Sequence, residues 1–289
     1  MTTLTVAAPP PQTRKPRKPR PWLAMLAVTV IGVFAFGPVY WLIVTALTPS
    51  GDAFQFPPRL WPRTVTLEHF ANLTDNPVLG RYLVNSLIVS SLTAVLTVLV
   101  SAYTAYSFSK FRYRGRRSLM SLILASQMFP QALLLITLYL LFSAFGLLNS
   151  YLALVLSFTT FTLPLCVWML KGFFDTIPDE LLEAAKVDGA GQGSIIHRIL
   201  LPVSLPGLVA TGLFAFIRGW NDFIFALTLA GPEKQTLPPG LVNTYLGEFQ
   251  AAWPDLMAAS LVVSLPVVGG FVILQRYLVA GLVSGAVKG

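Results

Sequence analysis

Residues 183–191 read EAAKVDGAG, a run with two acids, one lysine and two glycines in a chain whose other long stretches are apolar. What surrounds this polar run decides the fold. The chain has 289 residues, 55% of them hydrophobic and only 11% charged, where a soluble domain carries roughly 25% charged residues. The apolar residues are grouped into blocks at about 22–47, 82–108, 119–143, 151–170, 204–230 and 256–275. The first block has 26 residues, about 39 Å as a helix, which is enough to cross a bilayer with some tilt. It is also longer than the roughly 7–15-residue apolar region of a cleaved signal peptide, so an uncleaved anchor is expected. None of the blocks alternates as a barrel strand would. The reading is an all-α integral membrane protein with six transmembrane helices.

The charges orient it. Arg14, Lys15, Arg17, Lys18 and Arg20 crowd the N-terminal segment, and Lys110, Arg112, Arg114, Arg116 and Arg117 crowd the second connection. Both clusters abut apolar blocks. With six spans, fifteen Lys and Arg fall on the side of the two termini and four on the other, with Arg218 inside the fifth block. That asymmetry places the N- and C-termini in the cytoplasm. The expected division is a disordered basic tail at 1–21, a first span and external segment at 22–81, a transmembrane core at 82–277 with a cytoplasmic loop at 171–203, and a cytoplasmic tail at 278–289. No folded nucleic-acid module accompanies the basic clusters, so nucleic acid is not an expected partner. Membrane lipid is.

The polar run sits in the 171–203 loop. Pro178 followed by Asp179 and Glu180 predicts a first helical turn. Leu181, Leu182, Ala184, Ala185 and Val187 predict an apolar side, and Gly189 and Gly191 predict the stop. An amphipathic connector resting on lipid would favour basic residues on its polar side. The acids here favour a protein partner.

Glu183-Ala184-Ala185, three residues, Gly189, nine residues, Ile199, one residue and Leu201-Pro202 together resemble the EAA loop of binding-protein-dependent ABC importer permeases. Further stretches resemble the second permease subunit of maltose-type carbohydrate importers. They are QMFPQALLLITLY (127–139), GLLNSYLAL (146–154), the segment leading into the loop (163–190), WNDFIFAL (220–227) and QRYLVAGLVSGAVKG (275–289). The resemblance implies the type I ABC importer permease fold and a place in the bacterial cytoplasmic, or inner, membrane. It implies that the loop forms a coupling helix seated on a separate ATPase subunit, with Glu183 pairing with a basic residue there. The implied partners are a homologous permease subunit, two ATP-binding ABC subunits and an extracytoplasmic solute-binding protein. The external loop 231–255 is expected to project into that binding protein through Asn243, Tyr245 and Glu248. The tail from Gln275 is expected to leave the bilayer and reach between the ATPase subunits.

The chain has no G-x-x-x-x-G-K-[ST] phosphate loop, and Gly189-x-Gly191-x-Gly193 is not a dinucleotide fingerprint. No catalytic residue and no bound cofactor are therefore expected on this chain; ATP and Mg are expected on the partner ATPase subunits. No metal site is expected, because His69 and His197 fall on opposite sides of the membrane. Cys166 lies inside an apolar block and reads as a small buried hydrophobe. Arg218 and Asp222, four apart in the fifth block, read either as a structural ion pair or as groups lining a transport path. Trp168, Phe173, Phe216 and Trp220 suit sugar stacking but also ordinary packing. An ion-coupled secondary transporter, or a membrane scaffold with no transport role, is the alternative function. One ionisable pair gives ion coupling thin support.

Overall fold

The structure is a computed structural model that describes residues 21–247 and 252–286. Nearly all of the basic tail and the docking candidate Glu248 lie outside those residues. The helices, in chain order, are α1 (Pro21–Ala46), α2 (Glu68–Thr74), α3 (Pro77–Lys110), α4 (Arg116–Ala125), α5 (Gln131–Ala144), α6 (Tyr151–Asp175) and α7 (Asp179–Val187). They continue with α8 (Gln192–Ile195), α9 (Leu201–Val203), α10 (Leu205–Trp220), α11 (Ile224–Leu229), α12 (Leu237–Tyr245) and α13 (Trp253–Ala286). Four of them are long and apolar enough to cross a membrane alone, and counting two bent pairs as spans gives six.

Two of the apolar blocks are reached or crossed through a sharp bend. In the third block, α4 and α5 meet at 94° across Phe129-Pro130, where proline cannot supply a helical N–H. At the entry to the fifth, the 192–203 segment and α10 meet at 80° across Ser204. That block then breaks again at 221–223 before α11. Between α1 and α3 the chain forms the short helix α2. At the other end, α13 remains helical through Gly281 and Gly285 to Ala286. Its 34 residues run to about 51 Å, longer than a hydrocarbon layer of about 30 Å.

The centre of the bundle is α3, which packs against α6 and α10. Ser86, Ser90, Thr93, Thr97 and Ser101 are buried on one side of it at helical spacing. In a membrane, helices have no hydrophobic reason to prefer one another over lipid, so close backbone approach through small side chains takes over. A Cβ at Gly219 of α10 would lie 3.3 Å from the Ser90 Cα, and Thr97 and Thr162 share a 3.0 Å hydroxyl hydrogen bond between α3 and α6. By contrast, α1 packs on α13 and leaves most of its apolar surface exposed.

Candidate functional site

After α6 the chain turns through Ile177-Pro178 into α7, with Asp179 and Glu180 in its first turn and Lys186 in its last. Both placements suit the helix dipole. Leu182 and Ala185 are buried against Ile195, with Ala190 and Ile199 packed beside them. The single apolar side expected from sequence is corrected here. Leu181, Ala184 and Val187 point outward, Val187 at 88% exposure. Positions 181–187 span more than one full turn, so one neighbour cannot cover all five apolar residues. Glu183 is exposed on this free surface beside Ala184.

The helix stops in a Schellman closure. The Ala190 N–H donates to the Ala185 carbonyl at 2.9 Å, and the Gly189 N–H donates to Lys186 at 3.0 Å. Gly189 has φ +82°, and a Cβ there would meet nothing within 4 Å. Within this chain, the left-handed backbone is what requires glycine, not a close approach.

The loop is tied to the last two turns of α3. Tyr106 Oη donates to Gln192 Oε1 at 2.7 Å, and Ser109 Oγ donates to Asp175 Oδ1 at 2.7 Å. Lys110 Nζ donates to the Ile177 carbonyl at 2.6 Å and to Asp179 Oδ1 at 2.7 Å. That hydrogen bond and the lysine's charge hold the Asp179 carboxyl below the usual carboxylate range. Tyr103 Oη lies 2.8 Å from His197 Nε2, so His197 takes part in the tether. Sequence reading counted Lys110 only as topological charge. The signal it missed is polar side chains at 103, 106, 109 and 110, which helical spacing brings to one side of α3's end.

The rest of the motif divides its work. Leu200, a position the pattern does not specify, is fully buried, with Leu201 packed beside it. Ile199 is half-buried under α7, and Pro202 is exposed. Residues 196–200 form a widened π turn, which leads the backbone up to a proline that an ordinary α turn would reject.

Arg218 and Asp222 do not form an ion pair within 4.0 Å; the ion pairs among the described residues are elsewhere. The helix ends between them at Trp220, and Asp222 Oδ1 instead accepts from the N–H groups of Phe225 and Ala226 at 3.0 and 3.2 Å. Both residues line one cleft with Gln131 and Asn221, where the bend before α5 meets the break after α10. Arg218 is exposed, about 20 Å along α10, a depth at which a guanidinium meets protein or water rather than lipid. Of the candidate stacking aromatics, Phe216 and Trp220 stack on each other with centroids 5.5 Å apart, Phe173 is half-buried, and Trp168 is exposed.

The external loop is not a free projection. Asn85 of α3 donates to the carbonyls of Glu233 and Gln235 and accepts from Tyr151 Oη, and Ser86 Oγ accepts from the Leu237 N–H. Helix α12 lies against α3, where a Cβ at Gly240 would stand 2.3 Å from the Tyr82 ring. Tyr245 is buried, with burial pushing its hydroxyl pKa up. Its ring packs in the same cluster as Leu237 and Leu241. Asn243 stays exposed and donates to Gln235 Oε1 at 2.9 Å. Nearby, buried His69 lies 3.0 Å from Asp255 Oδ1 and 3.0 Å from the Thr48 carbonyl oxygen, linking the ends of α1, α2 and α13.

Residues 97–283 match the family described as binding-protein-dependent transport system inner membrane component. The chain is 34% identical over 273 residues to the sulfoquinovosyl glycerol transport system permease protein SmoH of Agrobacterium fabrum, covering 94% of each. It is 35% identical over 271 residues to the diacetylchitobiose uptake system permease protein DasC of Streptomyces coelicolor, covering 93% of this chain and 98% of that protein. Its fold is similar to that of a chain from a bacterial ABC transporter involved in alginate import. The TM-score there is 0.77 at 20% identity, over 92% of this chain and 100% of the other.

Proposed function

The chain belongs to the family of binding-protein-dependent transport system inner membrane components, and from that membership we propose that it imports a sugar or related carbohydrate as one permease subunit of an ATP-driven transporter. The substrates in its relatives' names, sulfoquinovosyl glycerol and diacetylchitobiose among them, support a carbohydrate cargo.

The observation that carries the coupling role is α7. Its inner side is packed and its ends are fixed, while Glu183, Ala184 and Val187 stand free. A short helix held this way transmits displacement instead of absorbing it. Seated on an ATPase subunit that holds ATP and Mg, α7 would carry the motion of that subunit to Leu200 and the bend at Ser204, and so to α10. Glu183 would pair with a basic group on the ATPase, a charge-assisted contact that fixes the helix orientation. The cleft of Gln131, Arg218, Asn221 and Asp222 would face the transport path, closed on its far side by a homologous permease subunit. A solute-binding protein would dock at the outer end near Asn243.

The test is uptake by the co-purified complex in proteoliposomes, with sugar delivered by its binding protein. Accumulation should require ATP. Equal uptake without ATP would reject the ATP-driven reading, and ATP-dependent uptake of a non-carbohydrate alone would reject the cargo.

A further inference from the structure

We propose that the turn between α3 and α4 is a binding site for anionic phospholipid headgroups. Arg112, Arg114, Arg116 and Arg117 line one open bay with Tyr113, Gly115 and Ser118. None of these arginines takes part in an ion pair among the described residues. Among the described residues, the Arg116 guanidinium alone of the four is engaged, donating to the Phe111 carbonyl at 2.9 Å. Arg112, Arg114 and Arg117 are exposed.

The helix that follows concentrates the charge further. α4 has no acid in its first turn and carries Arg116 and Arg117 there instead. A helix N-terminus already bears about half a positive charge, so this arrangement disfavours itself unless an anion is supplied from outside. Tyr113 in the bay and Phe111, Leu119 and Leu122 beside it in the chain are exposed, Leu122 at 68%. Aromatic rings and a basic cluster beside bare apolar side chains match the headgroup boundary of a bilayer. A soluble phosphate would use the arginines but leave that apolar surface uncovered; a phospholipid fits both. Lys110, which holds Ile177 and Asp179, immediately precedes this turn. A bound headgroup therefore steadies the same chain end that anchors α7.

The experiment is lipid retention by the full-length chain purified in detergent, measured by native mass spectrometry with phosphatidylglycerol and phosphatidylcholine as probes. It does not depend on transport, so its failure is distinct from failure of the carbohydrate-import reading. The wild type should retain phosphatidylglycerol preferentially. The Arg112→Gln, Arg114→Gln, Arg117→Gln triple variant should lose that preference: each removed charge costs about fivefold, so three cost on the order of 100-fold. Lysine at the same three positions should keep most of it. No preference in the wild type overturns the proposal without any variant being needed. So does equal retention by the glutamine variant, or displacement of phosphatidylglycerol by excess inorganic phosphate, which would mark a soluble-anion site.

Discussion

Lys110 at the end of α3 and Asp179 at the start of α7 form an ion pair with Nζ 2.7 Å from Oδ1, while the same ammonium holds the Ile177 carbonyl at 2.6 Å. One side chain thus fixes both the turn into α7 and its first residue. Lys110→Met should loosen residues 177–182 by about 1 kcal/mol, a modest value because Asp179 is solvated. The Asp179 carboxyl is held below its ordinary range mainly by the hydrogen bond from Lys110. Its folded-state pKa is therefore the lower one, so the contribution is complete above an unfolded value of about 3.9 and fades as pH falls through the folded value. Hydrogen exchange of 177–182 in wild type and variant should differ most at neutral pH, and in acid the difference should shrink to the part carried by the Ile177 carbonyl. A difference that instead grows in acid would contradict the assignment.

Glu183 is exposed and forms no ion pair among the described residues. Glu183→Ala and Glu183→Lys should therefore change the stability of the isolated chain by less than about 0.5 kcal/mol. In the assembled transporter, Glu183→Lys should cost several kcal/mol at the ATPase contact by facing two like charges, with Glu183→Ala milder. ATPase stimulation by loaded binding protein should fall while assembly persists. An acidic substitution at the facing basic residue should restore part of it. Wild-type stimulation in Glu183→Lys would rule this residue out as the contact.

Gly189 carries φ +82° with open space where a Cβ would go, so substitutions there should rank by tolerance of the left-handed region, not by size. Gly189→Ala should cost about 1–2 kcal/mol of local stability, and Gly189→Asn less. Exchange rates across 185–195 measure this directly. If Asn and Ala prove equally mild yet both abolish coupling, the requirement for glycine lies in the partner's approach and not in the turn.

Gly240 rests on the Tyr82 ring, which leaves no room for a Cβ. Gly240→Ala should destabilise the chain by about 1–3 kcal/mol through overpacking. Tyr82→Ala, though harmful alone, should absorb the added methyl, so a double-mutant cycle should show a coupling above about 1 kcal/mol. Additive losses in thermal unfolding would show that α12 does not lie on Tyr82.

The sequence by itself determined the all-α, membrane-spanning class, the family and the place of the short helix α7. Each of these is written in local information: apolar runs long enough to span, a motif of fixed spacing, a proline and two acids opening a helix, and a glycine closing it. What only the tertiary structure decided is which of those residues face one another. Helical spacing offered Leu181, Leu182, Ala184, Ala185 and Val187 as one apolar side, and packing against Ile195 selected Leu182 and Ala185. A four-residue interval offered Arg218 and Asp222 as a pair, and the break after Trp220 gave Asp222 to the backbone of α11 instead. Tyr245 looked available on a polar loop until α12 folded onto α3. His69 meets Asp255 across 186 residues, and Tyr106 meets Gln192 across 86. Such contacts leave no periodic trace in the chain, because they arise from where helices cross and not from how any one helix repeats.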